Sequence, residues 1–529
     1  MSVESGRVNQ IATSGELDVK TLEAWLWDAA CQIRGPLDAP KFKDYILPLI
    51  FVKRLSDVFE DEVARVAEEV GDLSTAHQVV DSDHSVVRFY IPDDARWENV
   101  SKHTTQLGER LTDAVRAIAR INPRLQGVID TVDFNATAAG QQIVDNDRLA
   151  ALVRTLGQHR LGLRDVQPDL IGHAYEYLLR KFAEGQGQSA GEFYTPAEVG
   201  QLMARLLDPQ PGMTVYDPAC GSGGLLIKCH LRLLETDGVA VNEHRELPRD
   251  TAPLKLFGQE INPSTFAMAK MNAVLHDMDA DIALGDTMRS PAFTAPSGGL
   301  QTFDLVTANP MWNQDFPETM YRNDATGRFE YGIPPSSSGD WGWIQHMYAS
   351  LKPRGRMALV LDTGAASRGT GSSGSARELG IRRSFVRQDV VEAVILLPEN
   401  LFYNQPSAGL VMVFNRAKTH PKEVLFVDAS MLFEKSRPKN VLSTGGIREL
   451  IDAYINWVSV PGVSAVVRLE DINANGESLL PTRYVGSTPR AASLSFDAAL
   501  KAVQDARQRQ ADADAALERA LAEIHTDGI

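Results

Sequence analysis

Short apolar runs alternate with helical segments from about Pro168 to Phe414, and this alternation constrains the fold more than any other feature of the sequence. Seven of these runs have the length and the β-branched and aromatic content of buried strands. They are residues 213–216, 254–259, 282–284, 303–307, 356–361, 391–397 and 410–414. Because strands that alternate with helices build parallel sheets, the sequence predicts an α/β fold with a doubly wound, seven-stranded sheet.

The segments that flank the predicted sheet have helical patterns. Residues 22–35 and 42–63 carry apolar side chains at helical spacing, and residues 496–524 are alanine-rich with a 4-3 apolar spacing. The 4-3 spacing is typical of a helix that packs on a partner helix, but docking on its own domain requires the same pattern. We predict an all-α N-terminal domain over 1–165, the sheet domain over 166–425, a small mixed extension over 426–490 and a C-terminal helix over 491–529.

Charge and composition exclude several classes of protein. The formal net charge of −16 argues against this chain alone gripping nucleic acid over a large surface, so such a role requires a local basic patch or a basic partner. No apolar run reaches the roughly 20 residues of a membrane helix, and the first residues lack the pattern of an export signal. The three cysteines match no zinc or disulfide spacing, so we expect no metal site and a cytoplasmic location.

A glycine-rich turn follows the first predicted strand in "VYDPACGSGGLL", residues 215–226. A strand, an acidic residue, a glycine-rich turn and a helix form the first nucleotide-binding loop of a doubly wound sheet. No Lys-Ser/Thr pair follows the glycines, and the last glycine of the dinucleotide fingerprint is missing. Asp217, directly ahead of the glycines, suits a ligand with an ammonium group and no pyrophosphate, such as S-adenosylmethionine (SAM). The alternative is a generic tight turn.

Two further acids stand where the next strands end. A carboxylate at the position of Glu260 accepts both hydroxyls of a ribose, and the polar stretch 235–253 accounts for its distance from the glycine turn. Asp286 ends the third strand, where it could accept the amino group of an adenine. Upstream, Thr195-Pro196-Ala197-Glu198 predicts a capping box and a helix N-terminus able to hold a carboxylate. Taken alone, that motif is better explained as a plain capped helix.

The stretch "TANPMWNQ", residues 307–314, ends the fourth predicted strand at the same edge. The exocyclic nitrogen of adenine is a poor nucleophile because its lone pair is delocalised into the ring. The Asn309 side-chain oxygen and the Pro310 carbonyl could each accept one of its N–H bonds and orient the lone pair, with no strong base required. Trp312 offers a flat face on which an extruded base can stack.

With these features in order, the chain resembles the modification (M) subunit of type I restriction–modification systems, an adenine-N6 DNA methyltransferase. The resemblance extends over most of the chain through segments such as "LWDAACQIRG", "YILPLIFVKRLSDVFEDE", "DPACGSGG", "VVEAVILLPENLFY" and "GESLLPTRYV". It implies the sheet of the SAM-dependent methyltransferases, and Asn309, Pro310 and Trp312 as the residues that handle the target base. The cofactor contacts it implies are Glu192, Phe193, Tyr194, Thr195, Pro196, Asp217, Ala219, Gly221, Ser222, Gly223, Gly224, Glu260 and Asp286.

The resemblance also implies partners. In such systems two M subunits act with a specificity (S) subunit that reads double-stranded DNA, and a restriction subunit can join. The acidic chain fits a catalytic subunit whose DNA binding depends on the S subunit. The C-terminal helix is a candidate for docking on the S subunit. Two alternatives stay open at this stage. One is the same chemistry on RNA adenine or a protein glutamine, and the other is a non-catalytic assembly subunit.

Three segments depart from the family pattern or leave their role open. Met311 replaces the second proline of the usual Asn-Pro-Pro-aromatic loop, so we expect activity with a less rigid loop. Residues 403–416 differ from the glycine-rich turn usual before the last strands. The arginine- and glycine-containing loop 367–383 either closes over DNA or is simply solvated.

Overall fold

The structure, a computed structural model, describes residues 19–33, 42–130, 132–138, 140–163, 165–166, 177, 195–241, 244–296, 298–369, 376–402, 405–436 and 439–486. Three of the predicted cofactor contacts, Glu192, Phe193 and Tyr194, lie outside these ranges, as does the predicted C-terminal helix. None of the helices within the ranges is long and apolar enough to cross a membrane.

The N-terminal region is helical, as predicted. Its helices are α1 (Val19–Gln32), α2 (Phe42–Val70), α3 (Leu73–Ser82), α4 (Trp97–Val100), α5 (Leu107–Ile121) and α6 (Asn146–Leu156), with a short hairpin of β1 (Thr137–Ala138) and β2 (Gln141–Gln142) before α6. Trp25 Nε1 donates to the Thr155 carbonyl at 2.6 Å and joins α1 to α6. The apolar faces form one core that also takes in Met268 and Met271, so this region packs directly against the sheet domain.

The sheet domain is built on nine strands. They are β3 (Thr214–Asp217), β6 (Lys255–Glu260), β7 (Asp279–Leu284), β8 (Phe303–Ala308), β9 (Leu351–Asp362), β10 (Val391–Leu396), β11 (Gly409–Asn415), β12 (Glu423–Asp428) and β15 (Ser464–Arg468). Their order is β15-β12-β10-β11-β9-β8-β3-β6-β7. Pairing is parallel from β9 through β7 and between β10 and β12, and antiparallel elsewhere. The prediction of a doubly wound, mostly parallel sheet is confirmed.

The predicted count of seven strands is too low. All seven predicted strands are present, but β12 and β15 extend the sheet at one side. A hairpin of β13 (Phe433–Glu434) and β14 (Val441–Leu442) and a helix separate β12 from β15, so no regular alternation marks them in the sequence. The predicted mixed extension therefore continues the sheet, and β12 spans its predicted start. The polar stretch 235–253 contains a hairpin of β4 (Val239–Val241) and β5 (His244–Glu246).

The helices of this domain cover the sheet and carry the loops at its edge. They are α7 (Ala197–Leu207), α8 (Gly224–Asp237), α9 (Pro263–Leu275), α10 (Glu318–Arg322), α11 (Asp340–Ala349), α12 (Gly364–Ser367), α13 (Ala376–Arg387), α14 (Thr444–Asn456) and α15 (Leu469–Ala474). The chain runs from β3 outward to β6 and β7, then crosses back to β8 on the other side of β3. The strand order thus reverses at β3, and ligands bind doubly wound sheets at such a point, beyond the carboxyl ends of the strands.

Candidate active site

Four predicted site residues come together at the carboxyl ends of four neighbouring strands. Asp217 is the last residue of β3 and Glu260 the last of β6, while Asp286 lies two residues beyond β7 and Asn309 directly follows β8. Because β8, β3, β6 and β7 are adjacent and parallel, all four residues lie along one edge of the sheet. We call this the carboxyl edge.

Asp217 is the buried acid of this edge. Its side chain is 1% exposed and accepts one hydrogen bond, from the Ala219 backbone N–H at 3.0 Å. Burial raises the pKa of Asp217 to about 8, with a smaller contribution from the nearby charge of Glu260. No Lys, Arg or His of the described residues offsets that burial. A carboxylate has about four acceptor sites, so Asp217 keeps the capacity to bind a cationic ligand group.

The glycine turn fixes the backbone between β3 and α8. Gly221 and Gly223 have φ values of +55° and +84°, a left-handed conformation that side-chain-bearing residues rarely adopt. The Gly223 N–H donates to the Cys220 carbonyl at 2.8 Å, and α8 begins at the next residue, Gly224. The predicted contacts Ala219 and Ser222 lie in the same turn. Strand, turn and helix therefore follow one another as the sequence predicted.

Glu260 and Asp286 hold their own loops through backbone hydrogen bonds. Glu260 accepts from Gly221 N at 3.0 Å through Oε2 and from Asn262 N at 2.8 Å through Oε1. Asp286 accepts from Met288 N at 3.0 Å and forms an ion pair with Arg289 at 3.2 Å. These contacts fix the loops that follow β6 and β7. The roles of the two carboxylates toward a ribose and an adenine stay predictions.

The predicted capping box is wrong. Helix α7 begins at Ala197 with Pro196 as its N-cap residue and no side-chain cap. Thr195 lies one residue earlier, and its hydroxyl instead accepts a hydrogen bond from Asn309 Nδ2 at 3.0 Å. The hydroxyl that the motif assigned to the helix terminus therefore joins the segment before α7 to the loop after β8.

The side chain of Asn309 is held at both ends. Trp312 Nε1 donates to Asn309 Oδ1 at 3.2 Å, and because an indole nitrogen can only donate, the atom facing it is the amide oxygen. The amide nitrogen consequently faces Thr195. Asn309 is 6% exposed and Pro310 is buried, so the loop presents its acceptors from a fixed position.

Trp312 does not offer the open face that the sequence suggested. The ring is 7% exposed and packs against Phe402, with ring centroids 5.0 Å apart and planes at 71°. A Cβ on Gly409 would lie 3.2 Å from the Trp312 ring and 2.8 Å from the Phe402 ring, so a larger residue there would collide with both. A base can therefore stack on Trp312 only after a neighbouring group moves. Met311 is 40% exposed beside it.

A buried polar network that sequence reasoning missed ties two of the edge loops together. Arg328 donates to the carbonyls of Thr287 and Met288 at 3.0 and 2.9 Å, and the Thr287 hydroxyl donates to the Pro218 carbonyl at 2.6 Å. Arg328 also faces His346 Nδ1 at 3.3 Å, while His346 Nε2 faces the Tyr216 hydroxyl at 3.2 Å. Burial lowers the pKa of His346 to about 3, so the ring is neutral, accepts from Arg328 and donates to Tyr216.

Apolar side chains at the same edge were also missed. Ile261, Leu284 and Met311 follow or end β6, β7 and β8, and they are 61%, 52% and 40% exposed. Each of them therefore offers apolar surface close to the strand ends that carry the polar residues. The usable signal in the sequence was an apolar residue within two positions of each of the polar residues Glu260, Asp286 and Asn309.

The predicted loop 367–383 is helical from Ala376 onward, where α13 begins, and it is not simply solvated where the structure describes it. Arg382 is fully buried and donates to the carbonyls of Glu477 and Arg368 at 2.7 and 2.8 Å. Arg368 contacts the segment after β8, and Arg377 pairs with Glu318 at the surface at 2.8 Å. Residues 370–375 lie outside the described ranges.

Comparison with known proteins gives two family matches and several close relatives. A family model described as N-6 DNA Methylase matches residues 166–492, and one described as HsdM N-terminal domain matches residues 22–156. The type I restriction enzyme MjaVII methylase subunit of Methanocaldococcus jannaschii is 32% identical over 459 residues, which cover 83% of this chain and 74% of the relative. The MpnII methylase subunit of Mycoplasma pneumoniae is 24% identical over 96% of each chain.

A solved structure has the same fold over nearly the whole chain. The type I restriction-modification system methyltransferase subunit from Streptococcus thermophilus aligns with a TM-score of 0.71 and 26% identity. The alignment covers 88% of this chain and 99% of that protein. Both the helical region and the sheet domain therefore have counterparts in one known protein.

Proposed function

This chain belongs to the N-6 DNA methylase family as a methylase subunit of the type I restriction enzymes, and we propose that it methylates N6 of an adenine flipped out of DNA, with SAM as donor. One observation carries the proposal. A buried carboxyl group, which no positively charged side chain of the described residues offsets, and a buried amide with a fixed acceptor stand at the ends of the adjacent strands β3 and β8. The first suits a cationic cofactor and the second a neutral amine.

The residues at the ends of β3, β6 and β7 fit SAM. Asp217 would hold its cationic part, because a buried carboxylate without a counter-ion gains most from a positive ligand. Glu260 would accept the ribose hydroxyls and Asp286 the adenine amino group, with Ile261 and Leu284 against the apolar face of the base. Glu192 to Pro196, Ala219 and Gly221 to Gly224 complete the proposed contacts. When bound, SAM supplies an activated methyl group.

The residues of the loop after β8 would orient the nucleophile, the exocyclic amine of adenine. Asn309 Oδ1 has a second lone pair beyond the one that Trp312 Nε1 uses, and the Pro310 carbonyl lies next to it. Each would accept one N–H of the adenine amine, which aims the nitrogen lone pair at the methyl group. The C–N bond forms as the C–S bond breaks, and the extra proton on nitrogen passes to water. Trp312 would stack on the flipped base, worth roughly 1–3 kcal/mol, once its covering neighbour moves.

In the proposed complex, a partner subunit provides the DNA recognition that this acidic chain needs. With a net charge of −16, the chain needs a separate S subunit to read and hold double-stranded DNA, and we place a second M subunit in the same complex. A restriction subunit can be added to it. The C-terminal helix over 491–529 is our candidate for docking on the S subunit. Three free cysteines support a cytoplasmic location.

Co-expression tests the proposal. The full chain is produced with the S subunit encoded beside it, and host DNA is sequenced for N6-methyladenine. We expect one methylated motif with the natural chain and none with Asn309→Ala. Absence of a methylated motif with the natural chain would reject the proposal. SAM titration of the isolated chain separates a scaffold from an enzyme, since a scaffold would not bind it.

A further inference from the structure

We propose that Arg368 is a positioning residue for the target-base loop, defined as residues 309–313, and that it sets the rate of methyl transfer without touching cofactor or DNA. The proposal rests on the proposed function, because it concerns how Asn309 is held for that reaction. It starts from a guanidinium group that joins the end of this loop, Asn313, to three other segments of the chain.

Every N–H of the Arg368 guanidinium has an acceptor of its own. Nε donates to Glu378 Oε2 at 2.8 Å. One terminal nitrogen donates to Asn313 Oδ1 at 2.7 Å and to Asp362 Oδ1 at 3.3 Å. The other donates to Ser338 Oγ at 3.0 Å and to Asp340 Oδ2. A guanidinium has five donors in one rigid plane, so all five are used.

Two of these acceptors also hold Asn313. The Asn313 backbone N–H donates to Asp340 Oδ1 at 2.9 Å, and its Nδ2 donates to Asp362 Oδ2 at 2.6 Å. Arg368, Asp340, Asp362 and Asn313 therefore form a closed set in which each acid binds both of the other residues. Asn313 has a φ of +54°, a left-handed conformation that few residues other than glycine and asparagine adopt readily.

This set of four residues is connected to Asn309 through Asn313 and its neighbour Trp312. Asn313 directly follows Trp312, and Trp312 Nε1 donates to the oxygen of Asn309. A shift of Asn313 would rotate Trp312 and move the acceptor that orients the amine. Asp340 and Glu378 are 0% and 1% exposed, whereas the side chains of Arg368 and Asp362 are each 25% exposed, so the set runs from the protein interior to the surface beside the loop.

Lysine cannot replace the arginine in this role. Its ammonium group keeps the positive charge beside the buried acids but has three donors at a single point, so it cannot reach five acceptors spread around a plane. Arg368→Lys should therefore preserve the fold and loosen the loop. Asn313→Gly is the second variant, because glycine tolerates the positive φ and lacks the side chain that Arg368 holds.

Single-turnover methyl transfer in the full complex of the chain with its S subunit tests the proposal. The probe is a duplex that contains the methylated motif, with 2-aminopurine at the target adenine in a parallel fluorescence measurement of base flipping. We expect Arg368→Lys and Asn313→Gly each to slow methyl transfer roughly 10- to 100-fold and to change the flipping signal. The dissociation constants for SAM and for the duplex should not change.

Arg377→Lys is the matched control, since Arg377, near the start of α13, forms within the described residues a surface ion pair with Glu318 and no contact with the target-base loop. It should transfer methyl at the wild-type rate. Wild-type rates in both Arg368→Lys and Asn313→Gly would overturn the positioning role, and so would a loss of SAM binding, which would indicate a general structural role. Failure of the proposed function itself looks different, because the natural chain would then transfer no methyl group.

Discussion

The two sides of the carboxyl edge are held together in different ways. On the cofactor side, Asp217, Glu260 and Asp286 each accept a hydrogen bond from the backbone two residues further along the chain. On the target side, Asn309 bonds to Thr195, 114 residues away, and Asn313 to Asp362, 49 residues away. The cofactor side is therefore encoded mainly in local turns, whereas the target side exists only when distant segments have folded together.

The largest effect should come from the residue at the centre of the target side. Asn309→Ala removes the acceptor proposed to orient the amine and also the partner of Thr195 and Trp312. We expect single-turnover methyl transfer to fall roughly 10²–10³-fold, with a much smaller change in SAM affinity, because Thr195 is the one proposed cofactor contact to which the Asn309 side chain is hydrogen-bonded. A parallel loss of SAM binding would mean that the two sides are not independent.

The cofactor side should respond to pH through Asp217. Its pKa of about 8 lies above the ordinary value of 3.8 because of burial, so below pH 8 most of the unliganded protein carries a proton there. A cationic ligand binds the ionised form, and SAM affinity should therefore rise from pH 6.5 to 8.5, by roughly tenfold per pH unit below the pKa. Calorimetric titration at three pH values measures this rise. Asp217→Asn should bind weakly with little pH dependence, and an unchanged pH profile in that variant would assign the dependence to another group.

The same contrast explains what the sequence could and could not predict. Asp217, the glycine turn and Glu260 each sit within a local pattern, and the structure has the strand, turn and helix that the pattern predicts. Thr195 was assigned to a helix cap because the motif is local, but its partner comes from β8. Arg368 stood in a stretch with no periodicity, and nothing near it in sequence indicates Asn313 or Asp340. The strands β12 and β15 were missed for a related reason, since their pairing depends on segments separated by a hairpin and a helix.

Two arginines, Arg368 after α12 and Arg377 in α13, should differ in their effect on stability. Arg368→Met would leave the buried carboxylates of Asp340 and Glu378 without their counter-ion, which costs about 3 kcal/mol of unfolding free energy. Arg377→Met breaks a surface pair and should cost less than about 1 kcal/mol. Urea unfolding of the full chain followed by fluorescence measures both. Equal effects would show that the target-side contacts are ordinary surface interactions.

The smallest effect is expected at Met311. Its backbone N–H makes no hydrogen bond within the described residues, so Met311→Pro loses none and should raise stability by about 0.4–1 kcal/mol if the local backbone accepts proline. Thermal unfolding measures the gain, and methyl transfer should stay close to the wild-type rate. Complete loss of transfer would mean that the identity of this residue, and not only its neighbours, determines how the loop holds the base.

The central claim is that Asp217, at the end of β3, binds the cofactor, whereas Asn309, after β8, orients the target amine. It is tested most directly by single-turnover methyl transfer of Asp217→Asn and Asn309→Ala as the SAM concentration is raised to saturation. The account predicts that excess SAM restores transfer in Asp217→Asn, whose defect is in binding, and does not restore it in Asn309→Ala. Restoration of Asn309→Ala by SAM, or failure to restore Asp217→Asn despite saturation, would contradict it.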